Sequence, residues 1–413
     1  MKNRQDELRK QLKNKLRASI DYSKEISDDQ MQELIDELLI REGKKQALTL
    51  EEKTNLRKEL FYAVRKLDVL QELVDDKEIT EIMINGAEHI FIEKKGRLFQ
   101  LEQKFESKEK LEDIIQQIVA TCNRVVNEAS PIVDARLENG SRVNVVLSPV
   151  ALNGPIVTIR KFPERPITME DLISFGSVPE DVSGWLAKLV EAKYNIFISG
   201  GTGSGKTTFL NALSNYIPKE ERIITIEDSA ELQILNIPNI VRMETRNANV
   251  EGCREITIRD LIKSSLRMRP DRIIVGEVRG GEAFDMMQCL NTGHDGSMST
   301  GHANSSKDML SRLENMILMG MELPLNAIRQ QIASGIDILI HLGRLRDKSR
   351  KVLEIIEVLG FENEEIQLKT LYRFEEEGED ECGKVVGTLK KKGELTYVEK
   401  LKNAGIHTAG NGL

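Results

Sequence analysis

The stretch NIFISGGTGSGKTTFLNAL, residues 195–213, restricts what this chain can fold into more than any other. An apolar run enters a glycine-rich turn, and Lys206, Thr207 and Thr208 then open an apolar pattern of helical period. Residues 200–207 match G-x-x-x-x-G-K-S/T in full. In such a loop Gly201, Thr202, Gly203, Ser204 and Gly205 turn successive backbone N–H groups onto phosphate oxygens, at the positive end of the following helix. Lys206 is placed to reach the β- and γ-phosphates, and the Thr207 hydroxyl to bind Mg²⁺. A nucleoside triphosphate is the expected ligand.

Phosphate binding alone is shared by motors, GTPases and small-molecule kinases. The sequence has no N-K-x-D guanine box and no obvious lid segment, which favours ATP and a hydrolase. Two apolar strand candidates end in acids: RIITIEDSAEL (222–232) in Glu227 and Asp228, RIIVGEVRGGEAF (272–284) in Glu277. Strand C-termini of an open α/β sheet face the ligand crevice, so one acid can serve Mg²⁺ and the other a water. TGHDGSMSTGHANS (292–305) adds His294 and His302, two of five histidines within nine residues. A metal pair lacking a convincing third ligand, a packing role and a γ-phosphate sensor stay open for them.

Those strands belong to an alternation over residues 182–345 of apolar runs (NIFIS, RIITIE, NIVRME, RIIVGE, SMSTGH, DILIHL) with amphipathic helices. This is the signature of a parallel sheet covered by helices. Upstream, residues 76–163 read as an α+β domain with turns at Asn85-Gly86, Lys95-Gly96 and Asn139-Gly140 and a helix from Ser107. A proline-marked linker is expected over 164–181. Residues 1–75 are charged, with leucines at helical spacing and a capping box at Thr49 and Glu52, which predicts a small helical segment. Residues 346–413 form a C-terminal segment of short strands, in which the acidic run 375–381 reads as a solvated loop.

The formal charge of −8 and the 4% of aromatic residues speak against a general nucleic-acid binder, which needs a basic surface or stacking platforms. Cys122, Cys253, Cys289 and Cys382 are scattered without a C-x-x-C pair, as expected in a reducing compartment. The N-terminus lacks an apolar signal core, and no run of ~18 apolar residues occurs. A cytoplasmic protein is expected, free to dock on a membrane protein.

Behind the phosphate loop, IITIEDSAEL, IIVGEVRGGEA and TGHDGSMSTGHANS follow in an order that resembles the ATPases of type II and type IV secretion and pilus systems. TEIMING, SPIVDARLENGSRVNVV and GPIVTIRKF are similar to the N-domain of the CpaF-like, tight-adherence branch. The likeness spans about residues 70–345. It implies a RecA-like P-loop ATPase domain preceded by the smaller α+β N-domain and the helical segment. It also implies ATP and Mg²⁺ as ligands. Glu227 would activate water, Glu277 would arrange Mg²⁺, and His302 would contact the γ-phosphate, with His294 secondary. Arg142 and Arg160, with Arg136 behind them, would reach the nucleotide phosphates. The resemblance further implies a homohexamer peripheral to the membrane, working on an inner-membrane platform protein. A nucleic-acid translocase and a non-hydrolysing nucleotide-gated scaffold are the alternatives. Arg267, Arg269 and Arg279, clustered around RIIVGE, keep open roles.

Overall fold

The computed structural model describes residues 2–20, 26–43, 48–94, 96–122, 124–137, 139–162, 165–246 and 254–406. The chain divides into two compact units, residues 1–163 and 164–413.

The first unit opens with helices α1 (Lys2–Ser19), α2 (Asp28–Gly43), α3 (Leu50–Arg65) and α4 (Val69–Asp75). Leu12, Leu16, Met31, Ile35 and Leu60 recur at helical spacing and close a small apolar core among the first three. The Thr49–Glu52 capping box starts α3 as its sequence predicts. Then come β1 (Ile79–Asn85), β2 (His89–Lys94), β3 (Arg97–Gln100), α5 (Lys108–Thr121), β4 (Ile132–Arg136), β5 (Arg142–Val146) and β6 (Ile156–Arg160). Among the described residues they form a six-stranded sheet, order β3-β2-β1-β6-β5-β4, antiparallel throughout. One face buries Ile82, Ile84, Val143, Val145, Val157 and Ile159 under α5. Period-two alternation puts Arg142 and Arg160 on the other face. The helices and this sheet are one unit here: Lys13 of α1 pairs with Asp68 at 3.2 Å and with Glu106 at 3.2 Å.

The second unit begins with α6 (Met169–Ser174), inside the stretch expected as a linker. Thr168 and Asp171 form a full capping box there, a start signal that the surrounding prolines mask. It continues with α7 (Glu180–Glu191), β7 (Ile196–Gly200), α8 (Lys206–Ser214), β8 (Ile223–Glu227), β9 (Ile240–Glu244), α9 (Ile258–Ser265), β10 (Arg272–Val275) and α10 (Glu282–Leu290). β11 (Met298–His302), α11 (Ser306–Gly320), α12 (Leu325–Gly335) and β12 (Ile338–Arg344) follow. The last elements are β13 (Arg350–Glu362), β14 (Glu365–Glu379), β15 (Val385–Lys391) and α13 (Glu399–Asn403). The nine-stranded order is β15-β14-β13-β12-β7-β11-β10-β8-β9. The strands from β12 to β9 run parallel, and β7, β8 and β10 are buried at every residue because helices cover both faces.

Residues beyond 345 are continuous with this sheet: β13, β14 and β15 extend it as an antiparallel meander from β12. The acidic run is accordingly a loop only at Asp380 and Glu381. Glu375, Glu376 and Glu379 lie in β14 paired with β15, where Lys390 and Lys392 neutralise Glu375.

Candidate nucleotide site

The phosphate loop joins β7 to α8 at the carboxyl end of the parallel strands. Gly203 and Gly205 take positive φ of 71° and 93°, which L side chains resist. At Gly200 a Cβ would stand 2.5 Å from the Leu342 carbonyl oxygen of β12, so only glycine lets the loop leave the sheet here. Lys206, Thr207 and Thr208 begin α8, which directs its positive end at the loop. The Lys206 ammonium donates to the Gly201 carbonyl at 3.0 Å and lies 3.2 Å from His302 Nδ1. Burial holds the Lys206 pKa below the usual lysine value.

β10 and β11 deliver the next residues, because their C-termini end beside that of β7. His302 Nε2 stands 2.9 Å from Glu277 Oε1. That oxygen is buried and receives no aligned hydrogen bond, whereas Glu277 Oε2 accepts from Arg279 at 2.8 Å. Arg279 also approaches Asp228 at 3.7 Å and so ties the ends of β8 and β10 together. Burial pushes the His302 pKa down against the pull of Glu277, which keeps the ring neutral near pH 7.

Glu227 lies on the neighbouring strand, packed so close to Gly276 that a Cβ there would come within 2.8 Å of its Cγ. Its Oε1 accepts the backbone amides of Glu231 at 2.9 Å and Leu232 at 3.0 Å. Burial raises its pKa to about 7, partly opposed by those two amides.

Lys206, Glu277 and His302 thus converge with Arg279 and Asp228, and Glu227 is the adjacent residue across the sheet. His294 does not join them: it precedes β11 and sits at the opposite end of that strand from His302. Arg142 and Arg160 belong to the first unit, directly opposite each other on β5 and β6, and Arg136 stands opposite Arg142 on β4. Three guanidinium groups in one cross-strand row repel one another, offset by Asp134 at 3.7 Å from Arg142 and by Glu81 opposite Arg160.

Arg350 escaped the sequence reading, and Arg279 kept an open role in it. Arg350, at the start of β13, donates from Nε to the Gly203 carbonyl at 2.9 Å. It also helps line a cavity of about 480 Å³ beside Ser204, Gly205 and Thr208, with Phe175, Phe209, Lys348 and Lys384. No local pattern marks Arg350, since only the β12–β13 hairpin brings it to the loop. Arg279 carried a signal, two residues after Glu277, but not one that distinguishes an ion pair from a ligand contact.

The residues present suit Mg²⁺ in the manner usual for P-loops. A Thr207 hydroxyl opens the helix, and the Glu277 oxygen is buried without an aligned donor, as an acceptor for metal-bound water requires. Among the described residues no three His, Cys, Asp or Glu side chains converge into a metal cage. None of the described helices is long and apolar enough to cross a membrane.

The family model described as type II/IV secretion system protein matches residues 64–405. The chain is 34% identical over 330 residues to the type IV secretion system protein VirB11 of Bartonella henselae, covering 70% of this chain and 91% of that one. It is 31% identical over 322 residues to the conjugal transfer protein TrbB of Rhizobium radiobacter, covering 76% and 96%. The crystal structure of the ATPase DotB of Yersinia pseudotuberculosis superposes with a TM-score of 0.52 at 20% identity, over 70% of this chain and 78% of that one, and shows the fold alone. With the family model matched over residues 64–405, most of its length, the chain belongs to the type II/IV secretion system protein family.

Proposed function

We propose that this chain is a Mg²⁺-dependent ATP hydrolase whose cycle drives a pilus-assembly or secretion machine, in the CpaF-like branch of the family. The observation that carries the catalytic part is the contact chain from Lys206 through His302 to the buried oxygen of Glu277. In this reading the amides of residues 201–205 and Lys206 bind the β- and γ-phosphates. Thr207 and Glu277 hold Mg²⁺, which when bound neutralises the phosphate charge. His302, neutral and already against Lys206, exchanges that contact for the γ-phosphate. Glu227 takes the proton of the attacking water, a task matched by a pKa near 7. The base and sugar occupy the cavity beside Thr208, where Phe175 and Phe209 supply apolar surface and Arg350 a cation.

Arg142 and Arg160 complete the charge neutralisation, a fork-shaped group being suited to phosphate oxygens. The active form is a homohexamer, peripheral at the cytoplasmic face of the membrane on a platform protein. Its load is protein rather than nucleic acid, in keeping with the net charge of −8.

Phosphate release from ATP and Mg²⁺ tests the reading. Glu277→Gln is expected to abolish turnover while ATP still binds, and Lys206→Ala to lose binding as well. Unchanged turnover in Glu277→Gln would overturn the assignment.

A further inference from the structure

We infer that His341 is a positioning residue that sets His302 against Lys206 and Glu277. The inference rests on the ATPase reading of the site and adds to it a buried polar row that the reading does not use. Cross-strand pairing lines up Gly301 of β11, Ser199 of β7, His341 of β12, Glu354 of β13 and Arg373 of β14, each opposite the next. Directly opposed residues share one face of a sheet, and Phe197, Leu339 and Ile356 make this face largely apolar. A serine, a histidine and a glutamate in such a place are costly unless each is hydrogen-bonded.

Each of them is, and the partners point one way. Ser199 Oγ lies 2.9 Å from His341 Nδ1, which fixes the ring to the strand that carries the phosphate loop. The Asn304 backbone lies near enough to the ring to raise its pKa against burial. Burial keeps His341 below the usual histidine pKa, so the neutral ring can accept from the Ser199 hydroxyl. Glu354 Oε2 accepts from Ser306 Oγ at 2.8 Å, and Arg373 holds the other oxygen. Asn304 and Ser306 are two and four residues past His302, and Ser305 between them caps α11. The row therefore grips the segment that leaves His302 by two points. It references that segment to the same strand, β7, from which Lys206 follows. His302 itself is partly exposed and touches only Lys206 and Glu277 among the contacts described above, so its placement depends on the backbone behind it. Loss of a fraction of an ångström there is enough to impair a transition-state contact.

A histidine merely filling the core would act on stability alone, which the following measurements separate. Steady-state ATP hydrolysis is compared for wild type, His341→Phe, His341→Gln and Ser199→Ala, with thermal melts to select folded protein. His341→Phe is expected to lower kcat roughly tenfold with KM for ATP within about twofold. His341→Gln should recover most of the rate, since its amide can both accept from Ser199 and donate toward the Asn304 backbone. The double variant His302→Ala/His341→Phe should be no slower than His302→Ala, because residues acting as one unit are not additive. A folded His341→Phe at wild-type kcat, or a double variant losing the product of both effects, overturns the inference. The His302 ring resonances, read by NMR without nucleotide, supply a readout independent of turnover. They should move in His341→Phe and return toward wild type in His341→Gln. Unmoved resonances sink the positioning role even in a chain that hydrolyses ATP, whereas moved resonances in a chain without turnover fail only the enzymatic reading.

Discussion

Glu227 is the residue whose environment makes the sharpest demand. Its carboxyl group is 4% exposed at the end of an interior strand, and burial raises its pKa from 4.5 to about 7. The folded chain therefore keeps a proton there that the unfolded chain has already released. The stability linked to this group is whole below pH 4.5 and is lost as pH rises through about 7. Glu227→Gln removes the titration and keeps an oxygen for the amides of Glu231 and Leu232. It should melt higher than wild type at pH 8, by an amount corresponding to ~1–3 kcal/mol, and the gap should close toward pH 4.5. Melting curves across that range decide it: a gap independent of pH would mean that the carboxylate is not desolvated. Turnover should fall in the same variant with ATP affinity retained, as expected for loss of a base. Weakened binding at an unchanged rate would instead assign Glu227 to the nucleotide.

At the level of elements, the strands around the site were legible because their burial is total. NIFIS, RIITIE and RIIVGE each carry an apolar centre (Ile196–Ile198, Ile223 to Ile226 around Thr225, Ile273–Val275), and a run buried on both faces carries that pattern in any parallel sheet. Glu277 is legible as an acid just past such a strand, whereas His302, at the end of the polar strand MSTGH, is singled out only by the resemblance. The C-terminal meander could not be read in this way, because cross-strand partners in β14 and β15 neutralise charges that read as solvated one segment at a time. Glu375 looks solvated from its acidic neighbours alone, yet Lys390 and Lys392 across the ladder draw its pKa down to about 2. Arg350 illustrates the same limit, lying 147 residues from the Gly203 carbonyl it holds. The hairpin formed by β12 and β13 thus braces the phosphate loop from the side opposite Lys206's histidine partner. Arg350→Ala is expected to raise the KM for ATP severalfold with kcat within about twofold, since the loop binds ground and transition states alike. Steady-state kinetics measure both constants. A fall in kcat at constant KM would make Arg350 a transition-state contact.

For the whole molecule, the phosphate role proposed for Arg142 and Arg160 is tested through assembly. Arg136, Arg142 and Arg160 stand side by side, with Asp134 and Glu81 as acidic neighbours. A guanidinium supplied to a triphosphate by another rigid body makes hydrolysis depend on that body's position, which is how chemistry can become movement. In a hexameric ring the donor is expected to be a neighbouring subunit. Particle mass measured with a non-hydrolysable ATP analogue and Mg²⁺ should then report six copies, and a monomer under all conditions would exclude a ring formed by this chain alone. Mixing carries the test to the site itself. A Lys206→Ala chain and an Arg142→Ala/Arg160→Ala chain should each be inactive. Mixed before assembly, the first lends its arginines to the intact phosphate loop of the second, and part of the turnover should return. Failure to recover any activity, in rings shown by mass to contain both chains, would assign the arginines to the nucleotide of their own subunit.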